Sequence, residues 1–285
     1  MFLLIGYVVI LLASVGTYSV HGSLAALFVP LEYMAIVGLT IGGFVAGNSS
    51  KSIKATVAAL PSVLKGSHLN KALYMELLAM LYEILGKVRK EGLMSIESDI
   101  ETPDSSPIFS KYPTIVHDHH AMEFITDYLR MMVGGNLNAF EIENLMDLEI
   151  ETHHHEAHVP AHVMSKVADA VPAFGIVVAV MGVVNVMGSV GEPPAVLGKM
   201  IGGALVGTFL GILVSYGFVA PIAGQLEQKA EEGGKIFQCI KAVLLASMNG
   251  YAPQVAVEFG RKVLYSTDRP GFLELEEDLK ARKGK

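Results

Sequence analysis

Two apolar runs joined by a short turn limit what this chain can fold into more than any other feature of it. The first is Pro172-Ala-Phe-Gly-Ile-Val-Val-Ala-Val-Met-Gly-Val-Val-Asn-Val-Met-Gly188, and the second extends from Met200 to Pro221. Between Pro172 and Pro221 the only charged residues are Glu192 and Lys199, and both fall in the connecting turn. As a helix, each run is about long enough to cross the ~30 Å hydrocarbon core of a bilayer. No water is available there, so the backbone must pair within its own segment, and two helices are the reading.

Two further apolar stretches precede this hairpin. Residues 1–20 are uncharged and lack the basic flank of a secretory signal peptide, so they are read as an uncleaved first span. A polar break, His21-Gly-Ser23, leads to a second run from Leu24 to Gly47, with Pro30 and Glu32 near its outer start. An intramembrane carboxylate is a functional candidate by default. Placed this close to the start of its helix, Glu32 reads as an interfacial residue. A mean hydropathy of +0.46 agrees with four spans and is too apolar for an ordinary soluble domain.

The charges decide the orientation. Of the 21 Lys and Arg, ten lie in 48–168, ten in 222–285, and the last is Lys199. Basic residues near span ends stay on the cytoplasmic side, whatever the acids do. Both polar segments, and with four spans both termini, are therefore expected in the cytoplasm. A net charge of −7 argues against a nucleic-acid partner, which needs a basic face. The single cysteine, Cys239, permits no internal disulfide and suits a reducing compartment. The expected fold is an all-α integral membrane protein in four stretches. These are a transmembrane hairpin over 1–47, a cytoplasmic helical domain over 48–168, a second hairpin over 169–221 and a helical cytoplasmic tail over 222–285.

Periodicity fills in the polar segments. Leu73, Leu77, Leu81 and Leu85 recur every four residues and make one apolar stripe. Asn138 followed by Glu141 has the spacing of a helix cap with its reciprocal partner. Phe140, Leu145 and Leu148 then mark the expected apolar face, and Glu141, Glu143, Asp147, Glu149 and Glu151 the solvated one. Pro103 and Pro107, with Asp104, Ser105 and Ser106 between them, break the helical pattern. A long helix is expected to run from Pro160 into the membrane at Pro172. The tail resumes helical patterning over 225–241 and again beyond Asn249-Gly-Tyr-Ala-Pro253.

Within the second hairpin the small residues stand in rows. Gly203, Gly207 and Gly211 are spaced by four on one span, and Gly175, Ala179 and Gly182 form a similar face on the other. Such rows let helix backbones approach closely in lipid. Thr208 is the hydroxyl beside Gly207, and a hydroxyl in a span commonly bonds back to its own helix. Pro172 and Pro221 each remove an intrahelical hydrogen bond and favour a kink. Neither span holds an Asp, Glu, His, Lys or Arg in its interior. A proton relay needs a titratable group. If this chain helps conduct ions, the ion-binding carboxylate comes from another chain, with the small faces packed around it. His153, His154, His155, His158 and His162 invite a metal reading, but they lack the H-E-x-x-H spacing and have no cysteine beside them. No metal, cofactor or catalytic residue is assigned, and the chain is read as a non-enzyme.

Together these residues resemble one family: the MotA stator subunits of the bacterial flagellar motor, within the MotA/TolQ/ExbB group. The resemblance covers nearly the whole chain. It includes Val171-Pro-Ala-Phe-Gly175, Val206-Gly-Thr-Phe-Leu-Gly211, Tyr216-Gly-Phe-Val-Ala-Pro221, Ala72-Leu-Tyr-Met75, Phe140-Glu-Ile-Glu143, Asn249-Gly-Tyr-Ala-Pro253 and Ala256-Val-Glu-Phe-Gly-Arg-Lys262. It implies a pentameric ring in the bacterial inner membrane around a MotB-type single-span partner, whose aspartate binds the ion. Ion flow would then drive rotation against the rotor protein FliG. The family's functional prolines match Pro172 and Pro221, and its charged rotor contacts match Arg89 and Glu97. Sodium-driven relatives carry a hydroxyl seven positions after the first proline, where this chain has Ala179. With Ala179 and Thr208 along the ion path, H+ is the expected ion.

Two alternatives make different demands. An ExbB/TolQ-like energiser of outer-membrane processes typically has three spans, which the first hairpin here disfavours. A metal transporter using His154 and His158 would require stoichiometric metal in the purified protein.

Overall fold

The computed structural model describes residues 2–283 apart from His68 and Asn136. Among the described residues the structure is helical with no strand. Among the described residues, four helices are long and apolar enough to cross a membrane: Phe2–Val20, Leu24–Ala46, Ala139–Met187 and Pro194–Met248. The chain divides into two compact units. One joins the residues up to Gly66 with Ala157–Lys229, and the other joins Ser67–Glu156 with the residues from Ala230 onward. Residues 48–66 and 157–168 thus belong with the spans, because their helices pack on the same neighbours as the apolar runs do.

In the first unit the third span reaches its turn at Met187, and the fourth starts at Pro194. The core between them is thin. Ile36, Val171, Val178, Val206 and Leu210 are buried together, and a second small cluster joins Val63, Ala161 and Leu226. Large side chains on the outer faces, such as Phe2, Leu31, Met181 and Val184, are exposed and available to lipid.

The second unit is built as a water-soluble core. The Lys71–Glu91 helix starts at Asn70, whose side chain accepts from the Leu73 amide at 3.0 Å, and stops at Gly92, where φ is +88°. Leu73, Leu77, Leu81 and Leu85 are all buried, as their spacing predicts. They pack with Phe109, Phe124, Tyr128, Ile240 and Val243 from neighbouring helices. Fully burying one such side chain contributes about 1.5–3 kcal/mol. The break around Pro103 holds only short 3-10 turns, Pro103–Ser105 and Phe109–Lys111.

Asn138 and Glu141 form the expected reciprocal cap. The Asn138 side chain accepts from the Glu141 amide at 3.0 Å, and the Glu141 carboxylate accepts from the Asn138 amide at 2.8 Å. The face that follows is not the expected one. Phe140, Leu145 and Leu148 are exposed, while Ile142 and Met146 are completely buried. Nor are the acids all solvated bystanders. Glu149 accepts from the Tyr128 hydroxyl at 2.7 Å, and Asp147 takes Lys241 at 2.7 Å.

Candidate functional site in the paired spans

The third and fourth spans meet backbone to backbone. A Cβ added to Gly175 would lie 2.7 Å from the Gly207 carbonyl oxygen and 2.9 Å from the Gly211 Cα. One added to Gly211 would lie 2.8 Å from the Gly175 Cα, and one on Gly182 would lie 2.7 Å from the Ala204 Cβ. Only glycine tolerates these distances. At Gly203 the nearest atom, from Val29, would be 3.6 Å away, an ordinary contact. The small faces therefore hold the two spans of one chain together; they are not left free for a partner. Ala179 is buried in the same seam, its amide nitrogen 3.3 Å from where a Gly207 Cβ would sit.

Both prolines act on the same seam. Pro172 has no N–H, so the carbonyl four residues back, that of Ala168, loses its helical donor. Ser215 replaces it from the fourth span, its hydroxyl donating to the Ala168 oxygen at 2.5 Å in a fully buried position. Ser215 opens a π-helical turn, Ser215–Val219, which ends just before Pro221. Wide turns of this kind also free carbonyls from the α-helical pattern. One of them, Phe218, accepts from the Tyr7 hydroxyl of the first span at 2.7 Å. The carbonyl freed by one proline is thus satisfied from the irregular turn that precedes the other. Nothing in the amino-acid pattern points to Ser215 as this donor, because the pairing crosses 47 residues.

Thr208 does not bond back to its own helix. Thr17 and Thr40 do so at 2.6 and 2.7 Å, but among the described residues the half-buried Thr208 hydroxyl makes no hydrogen bond. Glu32 also departs from expectation. It lies in the first turn of Pro30–Ala46, yet its side chain reaches across to the middle of the paired spans. Oε2 would be 3.3 Å from a Gly207 Cβ and Oε1 3.7 Å from a Gly182 Cβ. Oε2 is buried and makes no hydrogen bond of ordinary geometry among the described residues. An acid placed against two glycines is a structural feature that position along the helix concealed.

Arg89 and Glu97 lie in the second unit, and both are exposed. A buried ionic network sits two residues inward from each. Lys87 donates to Asp99 at 2.8 Å, and the other Asp99 oxygen accepts from Ser106 at 2.5 Å. The Ser106 hydroxyl oxygen in turn accepts from the Ile108 and Phe109 amides, both at 3.2 Å. Asp99 is 2% exposed, so the pair is held in one geometry, and with it the turn that presents Arg89 and Glu97. Arg89 also lines a recess of about 560 Å³ with Lys87, Lys90, Lys111 and Arg282, opposite Glu83 and Glu91. On its wall, burial and the Glu83 carboxylate push the pKa of the Tyr112 hydroxyl up to about 12.

Four membrane-capable helices, a glycine-packed pair among them, and a separate folded unit make this a multi-pass helical membrane protein. Residues 4–92 match the motility protein A N-terminal family, and residues 117–238 match the MotA/TolQ/ExbB proton channel family. Motility protein A of Escherichia coli strain K12 is 52% identical over 99% of this chain and 96% of its own length. Motility protein A of Salmonella typhimurium is 51% identical over the same shares of each chain. The flagellar MotAB stator complex from Bacillus subtilis superposes with a TM-score of 0.72 at 27% identity, covering 98% of both chains. The chain belongs to the motility protein A family.

Proposed function

We propose that this chain is the channel-forming stator subunit of a flagellar motor in the bacterial inner membrane, with both termini in the cytoplasm. A single-span, MotB-type partner supplies the aspartate that binds the ion, and five copies of this chain surround it. Ion flow is converted into force on the rotor protein FliG through Arg89 and Glu97. Those opposed charges steer and register the contact more than they tighten it. The observation that carries this reading is the seam itself. Residues 172–187 and 200–221 of spans three and four hold no Asp, Glu, His, Lys or Arg, yet the spans are joined by backbone contact and by a hydroxyl bridging the Pro172 turn to the turn before Pro221. A bridge of one hydrogen bond is the kind of feature that a small energy can switch. One proton crossing ~100 mV releases ~2.3 kcal/mol, more than the ~1 kcal/mol net worth of a typical hydrogen bond.

Protons are the ion in this reading, because Ala179 offers a methyl where dehydrated sodium would need an oxygen. The outer-membrane energiser is disfavoured by four spans and by relatives named for motility. The deciding experiment is complementation of a non-motile strain that lacks its stator, alone and with a candidate partner. Swimming should require both chains, persist without sodium and stop under a protonophore. Vesicles containing only this chain should not pass protons, and vesicles that do would overturn the reading. Glu32→Gln assayed in the same vesicles would then show whether the chain's own acid carries them.

A further inference from the structure

The second unit contains a cavity of about 560 Å³ that the stator reading does not use, and four imidazoles line it: His117, His119, His120 and His153. We propose that this cavity binds a borderline divalent cation, Zn2+ or Ni2+, through imidazole nitrogens, with His120 and His153 as the first pair and His117 or His119 completing the set.

Geometry supplies the main argument. His120 is at the start of the His119–Gly134 helix, and His153 is on the helix that begins at Ala139. The two rings meet edge to face with centroids 5.9 Å apart. Two imidazoles on one ion, with metal–nitrogen bonds of about 2.0–2.1 Å, place their ring centres roughly 5–6 Å apart. His119 and His120 are exposed, so rotation about χ1 and χ2 is open to both.

The protonation pattern fits as well. The His117 Nδ1 lies 2.5 Å from the Pro113 carbonyl oxygen, which can only accept. Nδ1 therefore carries the proton, and Nε2 keeps its lone pair, the arrangement that ligating histidines usually show. His153 is packed against Phe237 with ring centroids 4.4 Å apart. Asp118 is already engaged, accepting from the Ala121 amide at 3.2 Å as the helix cap. Nitrogen donors select borderline metals over Mg2+ and Ca2+, which want oxygen.

The sequence reading weighed only residues 153–162, where the spacing is wrong for a known motif. The cavity draws on a different set, with three of its four histidines from 117–120. His154 lies 3.3 Å from Glu231 and offers a rival site, so the test separates the two.

Untagged full-length chain in detergent, stripped with a chelator, is titrated with Co2+ followed by absorption, and with Zn2+ followed by calorimetry. One equivalent should bind, with the visible bands of nitrogen-ligated cobalt, and Zn2+ should raise the unfolding midpoint by mass action. The double variant His120→Ala, His153→Ala should weaken binding at least about tenfold, the scale on which ligand-shell losses act. The single variants His117→Ala and His119→Ala each change an exposed side chain, and one of the two should weaken binding with the metal-free midpoint little changed. His154→Ala should leave binding intact. Absence of stoichiometric binding, binding unaffected by the double variant or by both single variants, or binding lost in His154→Ala overturns the proposal. None of these readouts involves rotation, so failure here leaves the stator reading standing.

Discussion

The two units of this molecule solve the same packing problem with opposite materials. In the span-containing unit the third and fourth spans meet backbone to backbone, at Gly175, Gly207 and Gly211, and the clusters of large side chains are small. In the other unit a close-packed glycine, Gly260, faces the Val243 side chain rather than a glycine row, and the centre is filled by leucines, isoleucines and aromatic rings completely shielded from solvent. The difference follows from the solvent. Lipid tails are as apolar as leucine, so helices in a bilayer gain little by burying large side chains and associate through close approach and hydrogen bonds. In water the burial of apolar area is itself the driving force. Polar groups divide in the same way. The spans use neutral hydroxyl-to-carbonyl bonds from Ser215 and Tyr7, whereas the aqueous unit holds a buried ion pair, Lys87 with Asp99.

The strongest way to break this contrast is to put a side chain into the glycine seam. Gly175→Val places branched carbon where the Gly207 oxygen already sits at 2.7 Å from the first added atom. The spans must separate, and we expect loss of assembly and of swimming, checked by co-purification with the partner. Cross-linking between spans three and four that stays at wild-type efficiency would show the seam to be dispensable. Next in size is Asp99→Ala. It strands the Lys87 ammonium, and removing one member of a buried pair costs about 3–5 kcal/mol. Lys87 is about a quarter exposed, so the lower end, ~3 kcal/mol, is expected. The midpoint of thermal unfolding in detergent should fall, and protease nicking around 92–110 should rise.

Ser215→Ala sharpens the comparison from the other side. It leaves the Ala168 carbonyl unpaired in an apolar setting, a cost of about 1–3 kcal/mol. Swimming speed should fall while the chain still inserts and assembles, and Ser215→Thr, which restores a hydroxyl, should recover part of it. The smallest effect concerns the helix Phe272–Lys283. Lys71 donates to Glu274 at 2.6 Å and the Gly271 amide at 3.0 Å, and together they hold that carboxyl below its ordinary range. A depressed carboxylate contributes stability at neutral pH that is lost as pH falls through and below the usual value of about 4.3. Amide protection in this helix, taken relative to the intrinsic exchange rate at each pH, should fall on acidification, and Glu274→Gln should flatten that response.

Features set by neighbours along the chain were legible from the residues alone. The four spans, the leucine stripe of 73–85, the reciprocal cap at Asn138 and Glu141, and the break at Pro103 each depend on spacing within one turn or one run. The apolar face after Ala139 was misread because two stripes overlap there: 140, 145 and 148, against 142, 146 and 150. Only tertiary contact selects the second. Family resemblance named Arg89, Glu97, Pro172 and Pro221. It said nothing of the Asp99 and Ser106 pairings that fix the first two, or of the serine that serves the third. Those partners lie across turns or on other helices, and no periodicity encodes them. Glu32 was judged by its place along its own helix, whereas the length of its side chain decides where the charge ends up.

The wide turn at Ser215–Val219 has a consequence for how this chain tolerates change in length. Such a turn accommodates one residue more than an α-turn does, and in an α-helix each residue advances the direction of a side chain by about 100°. Ala223 and Leu226, which face inward beyond it, owe their heading to that surplus residue. Losing a single amino acid there without any change of chemistry would swing the rest of the helix about its axis. Hidden positions would turn outward and outer ones inward. The segment therefore works as a phase-setter, one in which the count of residues matters as much as their identity.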